Sequence, residues 1–183
     1  EEIFSREEAI KHFSIHALNK SNANFDEDKY FHQNGWYIRN LPVEDITERV
    51  KPFLRKAGLP IDECSKEWVD GIIALMIERA RLLSDFAPGL DFFFETPKAY
   101  EAKGVKKQFE KEGAAARLRG VASALEKLSK FDHATLETAL RAYAEEQGLG
   151  FGKIAQPTRI ALTGRMASPG LFDVIHYLGK EEA

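Results

Sequence analysis

Gln156, Pro157, Arg159, Ser168 and Pro169 stand close together in the segment AQPTRIALTGRMASPGLF, residues 155–172 of a 183-residue chain. Their chemistry is that of holding a ligand, not of making or breaking a bond. Proline suits the first turn of a helix, so Pro157 predicts a helix start with Arg159 in that turn, beside backbone N–H groups that lack internal partners. Gly164 can end this short helix after Thr163. Ser168 then suits the cap of a second helix with Pro169 at its first position. Two helix starts bracketing a loop would bring free amides, Arg159, Gln156 and Ser168 to one place, suited to phosphates or to the edges of unstacked bases. Ordinary capping with a surface arginine accounts for the same residues equally well.

Other constellations are weaker. GLGFGK at residues 148–153 has neither the spacing nor the hydroxyl residue of a phosphate-binding loop: Ile154 stands where Ser or Thr is needed, and the element before it reads as a helix. His12 and His16 are four apart, a spacing that can grip a metal from one helix face, but no third ligand accompanies them and exposed or structural histidines are the simpler reading. Cys64 is the single cysteine, which excludes an internal disulfide framework and argues against a structural zinc site. No GxSxG elbow occurs, and carboxylate pairs are those of any surface with 30% charged residues. No catalytic residue, cofactor-binding residue or metal site is therefore expected.

At 44% hydrophobic and 11% aromatic the chain can bury a substantial core. The longest apolar run, residues 72–77, falls far short of the roughly 20 residues needed to span a bilayer, and no charged-then-apolar signal segment opens the sequence. A reduced, cytoplasmic protein without membrane attachment is expected. The net charge is −3, but it is unevenly spread. Residues 103–119 carry six bases (Lys103, Lys106, Lys107, Lys111, Arg117, Arg119) against Glu110 and Glu112. Residues 151–180 carry Lys153, Arg159, Arg165 and Lys180 against Asp173. Such faces can meet phosphates, although a short charge run is also what a solvated helix side looks like.

The elements that must position these groups all read as helices. Ser5 and Glu8 have capping-box spacing, followed by Ile10, Phe13 and Ala17 at helical intervals. Residues 19–24 read as polar loop, and Asp26 can cap a helix carrying Tyr30, Phe31 and Trp36. Pro42 suits a first helical position before the stripe Val43, Ile46, Val50, Phe53 and Leu54, closed by Gly58 and Pro60. A longer helix is expected over residues 65–85, with Trp68, Ile72, Leu75, Met76 and Leu83 on one face. Arg79 then falls within that apolar stripe, where a guanidinium must be paired, must snorkel, or must meet a partner that arrives later. Pro88-Gly89 should interrupt or kink the run before Phe92, Phe93 and Phe94 pack as a core cluster. Leu118, Val121, Leu125 and Leu128 form another stripe, and Asp132 caps a helix with Leu136, Leu140 and Tyr143 that Gly148 ends. No alternating strand pattern appears, so the fold class is all-α.

GKIAQPTRIALTGRMASPGLFDVIHYLGKEEA strongly resembles the C-terminal end of bacterial glutamyl-tRNA synthetases. FSREEAIKHFSIHALNKSNANFD with NGWYIRNLP resembles the region that follows their catalytic signature loop, and ALMIERARLLSDF their first anticodon-binding helical region. The match runs in order across nearly the whole chain. The resemblance implies that residues 1–41 are the tail of the stem-contact domain, 42–101 a first helical anticodon-binding subdomain and 102–183 a second. The family's HIGH-like and KMSKS-like ATP signatures are absent, so the chain looks like a fragment that does not aminoacylate alone. An all-α anticodon region also separates it from glutaminyl-tRNA synthetases, whose corresponding part is built of β-barrels.

By resemblance, Arg79 matches the arginine that reads the third anticodon base in many discriminating members, which would explain a charge on an apolar stripe. Arg159 matches a basic residue near the first base, while Ser168, Pro169 and Leu171 match the turn that meets the first and middle bases. Gln156 joins them by neighbourhood only. The implied partner is tRNA(Glu), with tRNA(Gln) left open as a second. ATP and Mg would serve the full-length enzyme and not this part, and a monomer is expected. The alternative is a helical protein–protein docking module of a tRNA pathway, supported by the acidic overall balance and the many amphipathic helices.

Overall fold

The computed structural model describes residues 3–18, 22 and 24–183, and no strand occurs among them. The all-α expectation is met. The helices are α1 (Arg6–His12), α2 (Glu27–Asn40), α3 (Val43–Lys56), α4 (Lys66–Ile77), α5 (Phe86–Leu90), the single turn α6 (Ala102–Gly104), α7 (Ala114–Glu126), α8 (His133–Glu146), α9 (Gly152–Thr163) and α10 (Leu171–Glu182). Three of the expected side-chain caps form: Ser5 and Glu8 close a reciprocal box on α1, Asp26 accepts from the Lys29 N–H and Asp132 from Thr135. Ser65, not among the expected caps, accepts from Trp68.

Three expected boundaries move. The first helix stops at His12, since Phe13 turns extended and Ile10 and Phe13 lie exposed with no packed face to prolong so short a helix. Its continuation appears only as a 3₁₀ turn at Ile15–Ala17, and most of the expected loop at 19–24 lies outside the described residues. The helix expected over 65–85 ends at Ile77, because the Asp85 carboxylate accepts the N–H groups of both Arg81 and Leu82 at 2.9 Å and offers the backbone a turn instead. Pro88-Gly89 then sits inside α5, with Pro88 in the first turn where its missing N–H costs little. Finally, α9 begins at Gly152 and holds Pro157 in its interior. Burial of Ile154 and Ala155 extends the helix backward past the proline, and Lys153, whose carbonyl loses its usual partner there, is exposed.

Two cores result. One gathers Ile38, Ile46, Val50, Leu54, Ile72, Ile73, Phe86, Leu90, Phe92 and Phe93; the other gathers Val121, Leu125, Leu136, Leu140, Ile154 and Ile175. The first core takes chain from all three expected segments, since it includes Ile38 from α2 and Val174 from α10. Helix α10 lies between the two: Leu171, Phe172 and Ile175 enter the second core. The Trp68 indole N–H donates to the Tyr177 carbonyl at 2.9 Å, and the Tyr177 ring fills the space above Gly71, where a methyl group would collide with it.

The turn out of α9 ties the halves together a second time. Gly164 has φ +71°, its carbonyl accepts the Glu101 N–H at 2.8 Å, and a Cβ there would lie 2.6 Å from the Ala99 carbonyl oxygen. Gly148 also has a positive φ but nothing within 4 Å. Gly148→Ala should therefore lose only the left-handed backbone term, roughly 1–2 kcal/mol, in urea unfolding. Gly164→Ala should lose clearly more, because Ala99 is backbone and cannot swing away. Equal losses would show that the Ala99 contact yields without cost.

Candidate nucleic-acid interface

Arg79 stands on the turn between α4 and α5, outside the helix on which its position in an apolar stripe was projected. It is exposed. The turn is well fixed: the N–H groups of Arg79 and Ala80 donate to Met76 at 2.9 and 3.0 Å, Asp85 holds Arg81 and Leu82, and Asn34 on α2 donates to the Arg81 carbonyl at 2.5 Å. No carboxylate pairs with the Arg79 guanidinium among the described residues. Its positive charge acts on Arg159.

Arg159 projects from the middle of α9 and is half-buried. Its Nη1 donates to the carbonyls of Ser168 and Pro169, at 3.2 and 2.5 Å, and to the Ser168 hydroxyl. Burial lowers its pKa from the usual arginine range, and the positive charge of Arg79 lowers it further. Each of these acceptors is neutral. The guanidinium thus organises the turn at residues 164–170 while its charge stays uncompensated, in contrast to Arg165, which is paired with Asp91 at 2.7 Å and lies over the Phe92 ring.

The structure therefore brings Arg159, Ser168 and Pro169 into contact and sets Arg79, from a part of the chain far off in sequence, near enough for its charge to act on Arg159. It assigns some of them different work from that expected. Ser168 is buried and serves as an acceptor for Arg159; the cap position of α10 falls to Gly170. Leu171 is 5% exposed and belongs to the second core, so its side chain anchors the turn from below. Gln156 is partly exposed on α9, one turn before Ile160. Sequence reasoning missed Glu101, whose carboxylate accepts the Met166 N–H at 3.2 Å and whose own N–H reaches Gly164. It also missed Asp91 as the partner of Arg165; only a charge in an otherwise aromatic run hinted at it. His12 and His16 are exposed on separate elements, and no group of three metal-ligating side chains converges among the described residues.

Two uncompensated guanidiniums beside an ordered turn can bind anions and hydrogen-bond acceptors such as phosphate oxygens and base edges. Comparison with known proteins agrees with that chemistry. Residues 45–183 match the family described as Anticodon binding domain. The chain is 37% identical over 182 residues to glutamate–tRNA ligase 1 of Caldanaerobacter subterraneus subsp. tengcongensis, covering 100% of this chain and 38% of that protein. It is 36% identical over 184 residues to glutamate–tRNA ligase of Moorella thermoacetica, covering 99% of this chain and again 38% of the relative. A crystal structure of a glutamate tRNA ligase from Elizabethkingia meningosepticum superposes with a TM-score of 0.87 at 31% identity, over 100% of this chain and 35% of that one. The chain thus spans well under half the length of the relatives it matches.

The turn's dependence on Arg159 is open to measurement. Arg159→Met keeps much of the apolar stem but leaves the Ser168 carbonyl and hydroxyl oxygens without their donor and the Pro169 carbonyl with the Ser168 hydroxyl alone. Unfolding free energy should fall by about 1.5–3 kcal/mol, the range for hydrogen bonds to a charged group, and amide exchange should quicken at residues 166–171. Unchanged exchange there would mean that Leu171 and Pro169 hold the turn without help.

Proposed function

Since the chain belongs to the anticodon-binding domain family, we propose that it is the anticodon-reading part of a glutamate–tRNA ligase. The observation that carries this reading is the pairing of Arg79 with Arg159 beside the turn at 164–170, two guanidiniums that no carboxylate neutralises. Exposed Arg79 would donate to the edge of the third anticodon base, where a guanidinium can make two parallel hydrogen bonds. Arg159 would present the turn to the first and middle bases through its grip on Ser168 and Pro169. Gln156 lies on the same helix as Arg159 and would extend this surface.

In the proposed whole enzyme, glutamate is joined to tRNA(Glu) using ATP and Mg bound elsewhere, and the residues described here supply no reacting group. The work of this part is recognition, in the cytoplasm and as a monomer. No helix among the described residues is long and apolar enough to cross a membrane. tRNA(Gln) is the informative competitor, since a ligase that also charged it would have to tolerate its anticodon.

Arg79→Gln tests the reading. Affinity for tRNA(Glu) should drop by about 1–3 kcal/mol, and discrimination at the third anticodon base should relax. Binding curves for tRNA(Glu), tRNA(Gln) and a tRNA(Glu) altered only at that base would show both effects. A docking platform for another protein would bind all three alike, before and after substitution.

A further inference from the structure

Resting on the anticodon-binding reading, we propose that Lys103, Lys106 and Lys107 form a phosphate-contacting strip that grips the RNA backbone beside the bases read by Arg79 and Arg159. These lysines belong to α6 and to the π-helical turn Val105–Phe109 that continues it. All three side chains are exposed, and none forms an ion pair among the described residues. Lys51, Lys66 and Lys98, by contrast, each hold a carboxylate at 2.5 Å. Within a chain of net charge −3, residues 103–107 carry three lysines and no acid.

Position gives the charge its meaning. Gly104 is buried against α9 and the following turn, so closely that a Cβ would lie 2.9 Å from Ile160 Cδ1 and 3.1 Å from Met166 Cγ. Glu101, just before α6, donates its N–H to Gly164 at 2.8 Å and accepts the Met166 N–H at 3.2 Å. The basic segment is therefore docked on the very turn that Arg159 organises. Lys103, Lys106 and Lys107 stand at i, i+3 and i+4, the spacing that brings side chains to one side of a helix, and all three are exposed beside the packed Gly104. The turn that carries Lys106 and Lys107 is widened to π geometry, with the Glu110 N–H reaching back to the Val105 carbonyl at 3.2 Å. Ammonium groups on flexible stems suit phosphates, which ask for charge more than for fixed geometry.

The two kinds of contact predict different behaviour. Phosphate contacts release counterions and are indifferent to base identity; base contacts are the reverse. Binding is measured to an anticodon stem-loop RNA and to one of equal length with a changed anticodon, across a potassium chloride series. The triple variant K103Q/K106Q/K107Q should weaken binding to both RNAs by the same factor and flatten the log–log salt slope by about 2–3, at about 0.7–0.9 per phosphate contact. Preference for the correct anticodon should be unchanged, and the charge-conserving K103R/K106R/K107R should restore the slope. Circular dichroism on each variant confirms that the helices persist. A triple Gln variant with wild-type slope and affinity overturns the proposal while leaving the anticodon reading intact, provided R79Q still erodes preference. If the unaltered chain binds neither RNA, the anticodon reading falls and the strip falls with it.

Discussion

Helix α10 contributes Val174 to one hydrophobic core and Leu171, Phe172 and Ile175 to the other, and the rest of the architecture depends on that division. A helix apolar on nearly all sides over its first turns can only be stable when covered on both flanks. Neither half of the chain can therefore close its core without it. The Trp68–Tyr177 hydrogen bond and the close fit of Gly71 under Tyr177 fix α10 to α4, and its packing on α8 fixes it to the second half. Because the turn at 164–170 leads directly into this helix, the surface that carries Ser168 and Pro169 inherits the rigidity of both cores. The Arg165–Asp91 pair and the Glu101–Gly164 bond reinforce the same seam.

Charge is handled differently at the seam and at the candidate interface. Arg165 meets a carboxylate and an aromatic face, so its charge is spent on joining the halves. Arg159 meets two carbonyls and a hydroxyl, which satisfy its donors without neutralising it. A carboxylate in that place would hold the turn equally well and abolish the positive field outside it. Holding Arg159 beside Arg79 costs stability through like-charge repulsion and partial desolvation, both visible as a lowered pKa at Arg159. Under the proposed reading such a cost is recovered when a polyanion arrives.

Much of the fold was legible because caps and stripes are local. Asp26 and Asp132 cap the helices they precede, and Ile46, Val50 and Leu54 are buried as their spacing demands. The misreadings share one physical origin. Proline at 157 and serine at 168 were read by their local preference for helix starts, whereas burial of Ile154 and Ala155 and the demand of Arg159 for acceptors decided their actual places. Arg79 was legible as an anomaly but its setting was not, since the helix that would have buried it is ended by Asp85, six residues further on. Partners distant in sequence, Glu101 to Met166 and Asp91 to Arg165, leave no periodic trace and emerge only from the packed chain.

The geometry also bears on how discrimination would arise. Arg79 is carried by the first core and Arg159 by the second, so the separation of the two guanidiniums is set by how the cores meet across α9 and α10, not by any bond between them. Preorganisation of that kind spares the partner the entropy of ordering the site on binding. Under the proposed reading it also makes recognition sensitive to substitutions far from the RNA. A change at Gly71 or Trp68 that tilted α10 would shift the turn bearing Ser168 relative to Arg79 while leaving every contacting residue in place. Selectivity among anticodons would then suffer before affinity, because phosphate contacts from mobile lysine stems tolerate a shift of an ångström and paired hydrogen bonds to a base edge do not.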